Sequence, residues 1–188
     1  MVSITDNVRT KTRANLMAAY SCESNARAKY LAYAQKADRE GYGKVADLFR
    51  AAAESEKIEL NNQALVIQAM GGTPRTNIKH HAIRSTRKNL VDAKNEETYE
   101  TAVMYPQFIA QAQKEDNEDA VRMFTYARAA EVQHVKFYEE ALDNLNEWKS
   151  GKTEFRVCPI CGYTVQAKPV FLACPVCATP TRLYESPR

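Results

Sequence analysis

Glu97-Thr98-Tyr99-Glu100 is the stretch that decides the fold, together with its counterpart Glu131-Val132-Gln133-His134. In each, two side chains able to bind a metal stand three residues apart, a spacing that puts them on one face of a helix. Outward from the first, Leu90, Ala93, Glu97, Glu100, Met104, Gln107 and Gln111 recur at alternating steps of three and four. Around the second the same rhythm runs Ala120, Phe124, Ala127, Glu131, His134, Tyr138, Ala141, Leu145, Trp148. Such a seam is the face a helix turns towards its neighbours. A carboxylate there is costly unless a cation neutralises it.

Two further seams precede these. A helix predicted from about Asp6 to Arg39 carries Leu16, Ala19, Glu23, Ala26, Tyr30, Tyr33 and Ala37. Gly41-Tyr42-Gly43 ends it, since glycine readily takes the left-handed conformation of a helix terminus. A second helix, about Lys44 to Met70, carries Val45, Phe49, Ala52, Glu56, Glu59, Gln63, Val66 and Met70, and Gly71-Gly72-Thr73-Pro74 stops it. The basic connection Arg75–Lys88 leads to helices predicted from about Asn89 to Lys114 and Glu118 to Lys149. Two hairpins joined by one longer connection predict a four-helix bundle with a single crossover. Pro106 should remove one backbone hydrogen bond and bend the third helix locally.

The four seams collect Glu23, Glu56, Glu59, Glu97, Glu100, Glu131 and His134, and no Arg or Lys shares those positions. Six carboxylates cannot share an uncharged core without cations, so the pattern predicts a metal cluster. Oxygen ligands with one imidazole favour iron or manganese, and carboxylates at two helix levels suit two ions. Tyr30 lies on its seam one heptad after Glu23 and Tyr105 beside the seam five residues after Glu100, and for both, hydrogen bonding to a ligand and plain aromatic packing are open. Glu54 and Glu96 fall off the seams and read as solvated, and Cys22, one residue from Glu23, reads as a buried free thiol turned away.

The composition is that of an ordinary globular protein: 188 residues, 45% hydrophobic, 26% charged and a formal charge of +3, too small to argue for nucleic acid or an anionic membrane. The polar start, Met1 to Leu16, does not read as a signal peptide, and no apolar run is long enough to span a bilayer. Cytoplasm is the expected location. After a linker at 150–153, the region 154–188 loses the helical period and carries Cys158-Pro-Ile-Cys161 and Cys174-Pro-Val-Cys177. Some thirty-five residues bury too little to fold alone, so a four-sulfur metal site is expected, suited to zinc or a single iron. Gly162 is expected to let the first knuckle fold back where a side chain would collide. Residues 1–149 then form the bundle domain.

Cys22-Glu-Ser-Asn-Ala-Arg27, Leu48-Phe-Arg-Ala-Ala-Ala-Glu54, Glu97-Thr-Tyr-Glu100, Met104-Tyr-Pro106 and Cys158-Pro-Ile-Cys-Gly-Tyr163 together resemble a rubrerythrin over nearly the whole length. The resemblance implies a mainly α protein, a ferritin-like di-iron bundle followed by a small β-rich rubredoxin-like Fe(Cys)4 domain. It implies reduction of hydrogen peroxide to water, with electrons from a donor redox protein (a rubredoxin or a reductase) entering at the sulfur-bound iron. Carried over by position, Glu23, Glu56, Glu97, Glu100, Glu131 and His134 match the ligands of the iron pair. Cys158, Cys161, Cys174 and Cys177 match those of the single iron, and Tyr30 and Tyr105 match tyrosines near the pair. A homodimer is also implied, one subunit's rubredoxin-like domain lying near the other's di-iron site.

Where the family usually offers Glu-x-x-His, this chain has Glu56-Lys57-Ile58-Glu59. The extra anion favours ferric iron and puts in question the movement of one iron towards that histidine on reduction. Glu59 and Glu100 are the candidate proton donors. Two rival readings stand beside peroxide reduction: an oxygen reductase or ferroxidase, and an iron-storage protein with a zinc-ribbon-like docking module. The basic connection reads as a solvated loop or as a landing surface for an acidic electron donor.

Overall fold

The computed structural model describes residues 10–167 and 171–187. The predicted start of the first helix at Asp6 lies outside them. Helix α1 (Lys11–Arg39) begins at Thr10, whose hydroxyl accepts from Arg13 N at 3.2 Å. It is followed by α2 (Gly43–Ala69), α3 (Thr86–Tyr99), α4 (Tyr105–Lys114) and α5 (Glu118–Asp143). Helix α5 stops six residues short of the predicted Lys149, and Leu145 and Trp148 continue as turns with Trp148 still buried. The outcome is the expected mainly helical bundle carrying a small two-stranded sheet.

Between α3 and α4 the rod widens into one π-helical turn, Glu100–Met104, and Tyr105 N bonds back to Glu100 O. Pro106 has no N–H to give, and the extra residue in this turn takes up its ring without breaking the rod. The consequence for the seam is larger than a bend. One inserted residue advances the register, so Tyr105 and Ala112 are fully buried and Phe108 partly so, while the predicted Gln107 is exposed and Gln111 only half-buried.

The four rods share one longitudinal plan. One apolar cluster holds Tyr30, Phe49, Leu90 and Tyr138; the other holds Leu16, Ile67, Tyr105 and Phe124. In every rod the acidic residues fall between the stretches that feed these two clusters, forming a polar band across the middle. Each fully buried Leu or Phe contributes about 1.5–3 kcal/mol, so the flanking clusters can offset a costly centre. The basic connection lies along α1 as an extended strap, with Lys79 N donating to Asn25 Oδ1 at 2.7 Å and Ser21 Oγ 2.9 Å from Thr76 Oγ1. Its far end is fastened by Thr86, which gives two hydrogen bonds to Glu40.

In the terminal module β1 (Phe155–Val157) pairs antiparallel with β2 (Thr164–Gln166). The module packs on its own bundle: Phe155 meets Phe137 edge-on at 5.4 Å, Asn62 Nδ2 donates to Ile160 O at 2.8 Å, and Thr153 N donates to Asp47 Oδ2 at 3.1 Å. No helix among the described residues is long and apolar enough to cross a membrane.

Candidate metal centres

All seven seam residues converge. Glu23, Glu56, Glu59, Glu97, Glu100, Glu131 and His134 are each at most 2% exposed. Ligand atoms of Glu23, Glu56, Glu59 and Glu131 lie within 4.8 Å of one another, as do those of Glu56, Glu97 and His134. Glu56 belongs to both groups and would be shared between the ions they hold. Glu100 stands to one side in neither group, its Oε1 accepting from Cys22 Sγ at 3.1 Å.

Buried polar atoms in folded proteins nearly always have partners. Here one oxygen each of Glu23, Glu56, Glu59 and Glu97, both oxygens of Glu131, and Nδ1 of His134 have none. These are the atoms a pair of cations would occupy, so the donor set fits two ions bound by carboxylates and one imidazole. Without them the band is electrostatically expensive. Burial, followed by the charges of neighbouring carboxylates, pushes Glu56, Glu100 and Glu131 far above the usual range. Burial and the Glu23 charge do the same to Glu59, while hydrogen bonds partly restrain the rise at Glu23.

Around these ligands lies a shell of hydroxyls. Tyr30 and Tyr138 both donate to Glu97 Oε1, at 2.8 and 3.1 Å, and Tyr105 donates to Glu23. Gln63 Nε2 lies 3.3 Å from both Glu23 Oε1 and the Tyr105 hydroxyl. For Tyr30 and Tyr105 the hydrogen-bonding alternative is therefore realised alongside packing. Tyr138 and Gln63 sit on their seams but were not separable from core by spacing alone.

Two expectations change. Cys22 is half-buried rather than turned away, because the wide turn at Glu100 brings that carboxylate against its thiol; burial and Glu100 push the thiol well above its ordinary range. Glu96 is not simply solvated. It pairs with Lys29, a lysine only 4% exposed whose Nζ also lies 3.5 Å from Asp92. A buried ammonium needs such partners, and off-seam position said nothing of a lysine arriving from α1.

In the module, Cys158, Cys161, Cys174 and Cys177 bring their sulfurs within 4.8 Å of one another, with Cys158–Cys177 and Cys161–Cys174 at 3.5 Å. A tetrahedral ion at a metal–sulfur distance of about 2.3 Å needs sulfurs roughly 3.8 Å apart, so the cage is the right size. Hydrogen bonding from Cys161 and from backbone N–H groups brings Cys158 down to about 5. The two knuckles are built alike: Gly162 N bonds to Cys158 O at 3.0 Å, and Ala178 N to Cys174 O at 2.9 Å.

That likeness corrects the reason for Gly162. Both positions have positive φ, 78° at Gly162 and 60° at Ala178, so the turn itself accepts a methyl group. What excludes one at 162 is the bundle. A Cβ there would stand 2.5 Å from Ser55 Oγ and 2.9 Å from Glu59 Oε1. Ser55 Oγ donates to Gly162 O at 2.7 Å and lies 2.8 Å from Glu59 Oε1, while His134 Nε2 lies 3.0 Å from Thr164 Oγ1. Ser55 and Thr164 are thus site residues that sequence reasoning missed. The only signal was a serine four residues before Glu59, on the same helical face.

The family model for rubrerythrin matches residues 14–142. Nigerythrin of Nitratidesulfovibrio vulgaris is 38% identical over 187 residues, covering 99% of this chain and 91% of that protein. Rubrerythrin-1 of Clostridium acetobutylicum is 30% identical over 190 residues, covering 94% of each. The structure of fully reduced, all-ferrous nigerythrin superimposes with a TM-score of 0.86 at 36% identity, covering 95% of this chain and 87% of that one.

Proposed function

Because the chain belongs to the rubrerythrin family, and hence to a group of di-iron oxidoreductases, we propose that it reduces hydrogen peroxide to water. The observation that carries this reading is the set of unpartnered, fully buried oxygen and nitrogen atoms at the crossing of four helices. In this reading Glu23, Glu56, Glu59, Glu97, Glu131 and His134 hold two irons, with Glu100 close by, and Cys158, Cys161, Cys174 and Cys177 hold a third. Two irons bound in the bundle would supply together the two electrons that splitting an O–O bond requires.

The chain's own residues supply orientation and protons. Tyr30 and Tyr138 fix Glu97 through one oxygen, leaving the other free, and Tyr105 does the same for Glu23. Glu59 and Glu100 are the proposed proton carriers, Glu100 beside the Cys22 thiol and Glu59 beside the Ser55 hydroxyl. Glu100 Oε1 receives the Cys22 thiol hydrogen, and Glu59 Oε1 rests on Ser55, so each keeps its place while a proton leaves. The ligands lie between the two apolar clusters and are at most 2% exposed. The partners in this reading are hydrogen peroxide, a rubredoxin or reductase as electron donor and a second copy of the chain as homodimer, in the cytoplasm.

The second reading, an oxygen reductase or ferroxidase, is favoured by Glu59 alone, which gives the site a sixth carboxylate. Stopped-flow oxidation of the anaerobically reduced protein separates the two. Peroxide at equal concentration should oxidise the bundle irons at least ~10-fold faster than dioxygen; faster oxidation by dioxygen would reject the peroxidase reading. Replacing Glu59 with His should raise the iron midpoint potential and increase the preference for peroxide, by removing one anion beside the ions. If Glu59→His and Glu59→Ala both leave iron content, potential and turnover unchanged, Glu59 is no ligand.

A further inference from the structure

We infer that Arg128 is a positioning residue for the bundle site: from α5 it holds open the wide turn Glu100–Met104, and that turn brings the Tyr105 hydroxyl onto Glu23. The clamp follows from the backbone alone; its effect on bound ions rests on the metal-pair reading above.

One carbonyl, Thr101 O, has lost both of its backbone donors. In a regular helix it would accept from the N–H four residues on, that of Tyr105. Tyr105 N bonds instead to Glu100 O, one residue earlier, which is what makes the turn wide. Carried on by one residue, the wide pattern would offer Thr101 O the N–H of position 106. Residue 106 is proline and has none. The replacement comes from the neighbouring helix, where Arg128 Nε donates to Thr101 O at 2.9 Å. Arginine suits the task because it is charged at every working pH and its planar fork holds one direction.

Glu100 opens the wide turn and Tyr105 follows it, so both ride on its geometry. Each residue of a regular helix turns the next side chain by about 100°. With the extra residue taken out, the interior register would run on through Met104, Gln107 and Gln111, and Tyr105 would swing out of it. With the extra residue in, Tyr105 and Ala112 are fully buried. Tyr105 then donates to Glu23, whose second oxygen is left unpartnered among the carboxylates. Arg128 itself is exposed and belongs to neither ligand group, so it acts on the site only through the turn.

The test is a pair of double-mutant cycles on the full chain with its cysteine site loaded. Arg128→Met keeps the stem and removes the donor. On the metal-free bundle at pH 5, NMR-detected hydrogen exchange at the Tyr105 amide should become about 3–10-fold faster, the loss of one hydrogen bond of ordinary strength. Pro106→Ala gives Thr101 O a backbone donor again. Adding Arg128→Met to Pro106→Ala should therefore leave the Tyr105 rate within about 1.5-fold. Equal acceleration in both backgrounds, or none with Pro106 in place, overturns the clamp.

Anaerobic Fe²⁺ binding reads the consequence at the site. Tyr105→Phe takes the hydroxyl from Glu23 and should weaken binding about 10–100-fold, the usual loss when an outer partner of a ligand is removed. Arg128→Met should weaken it by about threefold or more in the otherwise wild-type chain, and should add nothing to Tyr105→Phe, because both act through one hydrogen bond. Weakening that persists undiminished in the Tyr105→Phe background would overturn the positioning role. If the wild-type bundle takes up no Fe²⁺, the metal reading fails, and the exchange rates still decide the clamp.

Discussion

Stripping the bundle metals will lower the thermal unfolding midpoint, and the loss will be greater at pH 8 than at pH 5. The sign follows from the buried carboxyl groups. In the metal-free chain burial raises Glu23, Glu56, Glu59, Glu100 and Glu131 above their ordinary range. In the unfolded chain a glutamate titrates near pH ~4.3. Above that pH the unfolded chain has released these protons while the folded chain still holds them. The folded state then binds more protons than the unfolded one, and stability falls as pH rises. The contribution is fully present below about pH 4.3 and disappears as pH climbs towards the raised folded values. Metal reverses the slope, because ligands bind deprotonated and affinity grows with pH.

Each such group costs up to ~1.4 kcal/mol per pH unit, but the five interact and their effects do not add. A loss on the order of several kcal/mol between pH 5 and pH 8 is expected, which in a chain of this size lowers the midpoint by roughly 10 °C or more. Calorimetry with and without chelator at the two pH values measures it. A metal-free protein equally stable at both would mean that the carboxylates are not buried together.

Replacing Cys161 with Ser will remove the ion from the terminal module and unfold its described residues, 155–167 and 171–187, while the bundle stays folded. The module has one two-stranded sheet and a small core of Val165, Tyr184 and three of its cysteines. That is too little apolar surface to order a chain of this length, so binding of the ion supplies the folding free energy, for which structural zinc sites give apparent values of ~10–16 kcal/mol. The bundle has its own two apolar clusters and does not depend on the module for them, although Phe155 and Val157 leave the edge of one. Hydrogen exchange resolved along the chain should show fast exchange from Phe155 to Gln166 beside protected α1, α2 and α5. Retained protection in the module would show that its packing on Phe137, Trp148 and Asn62 suffices without the ion.

How much of this was legible beforehand depends on how local each signal is. The seams of α1, α2 and α5 are periodic over many turns, and every seam residue from Leu16 to Ala37 is buried as the rhythm requires. The seven inward ligands were legible for the same reason, since carboxylates stand out against an apolar stripe. The seam beyond Met104 was not. A π turn inserts one residue without leaving a gap in the sequence, and the residue at fault, Pro106, equally announces a simple bend. Lys29 and Glu96 come from different helices, so neither periodicity could report their pairing. Least legible was the docking of the module. Ser55 and Gly162 are separated by 107 residues, and the glycine had a sufficient local explanation in the knuckle. Only the alanine at the matching turn of the second knuckle shows that the local explanation was incomplete.

Metal analysis of the anaerobically purified protein, joined to its Mössbauer spectrum, bears most directly on the central claim that acidic side chains from four helices enclose a pair of iron ions. With the donor sets as arranged, the chain should hold three irons in two environments. Two would be bound by oxygen and nitrogen and one by sulfur, and only the oxygen-bound pair should fall when Glu56, shared by both ligand groups, is replaced with Ala. One sulfur-bound ion per chain, with iron content unchanged by Glu56→Ala, would contradict it.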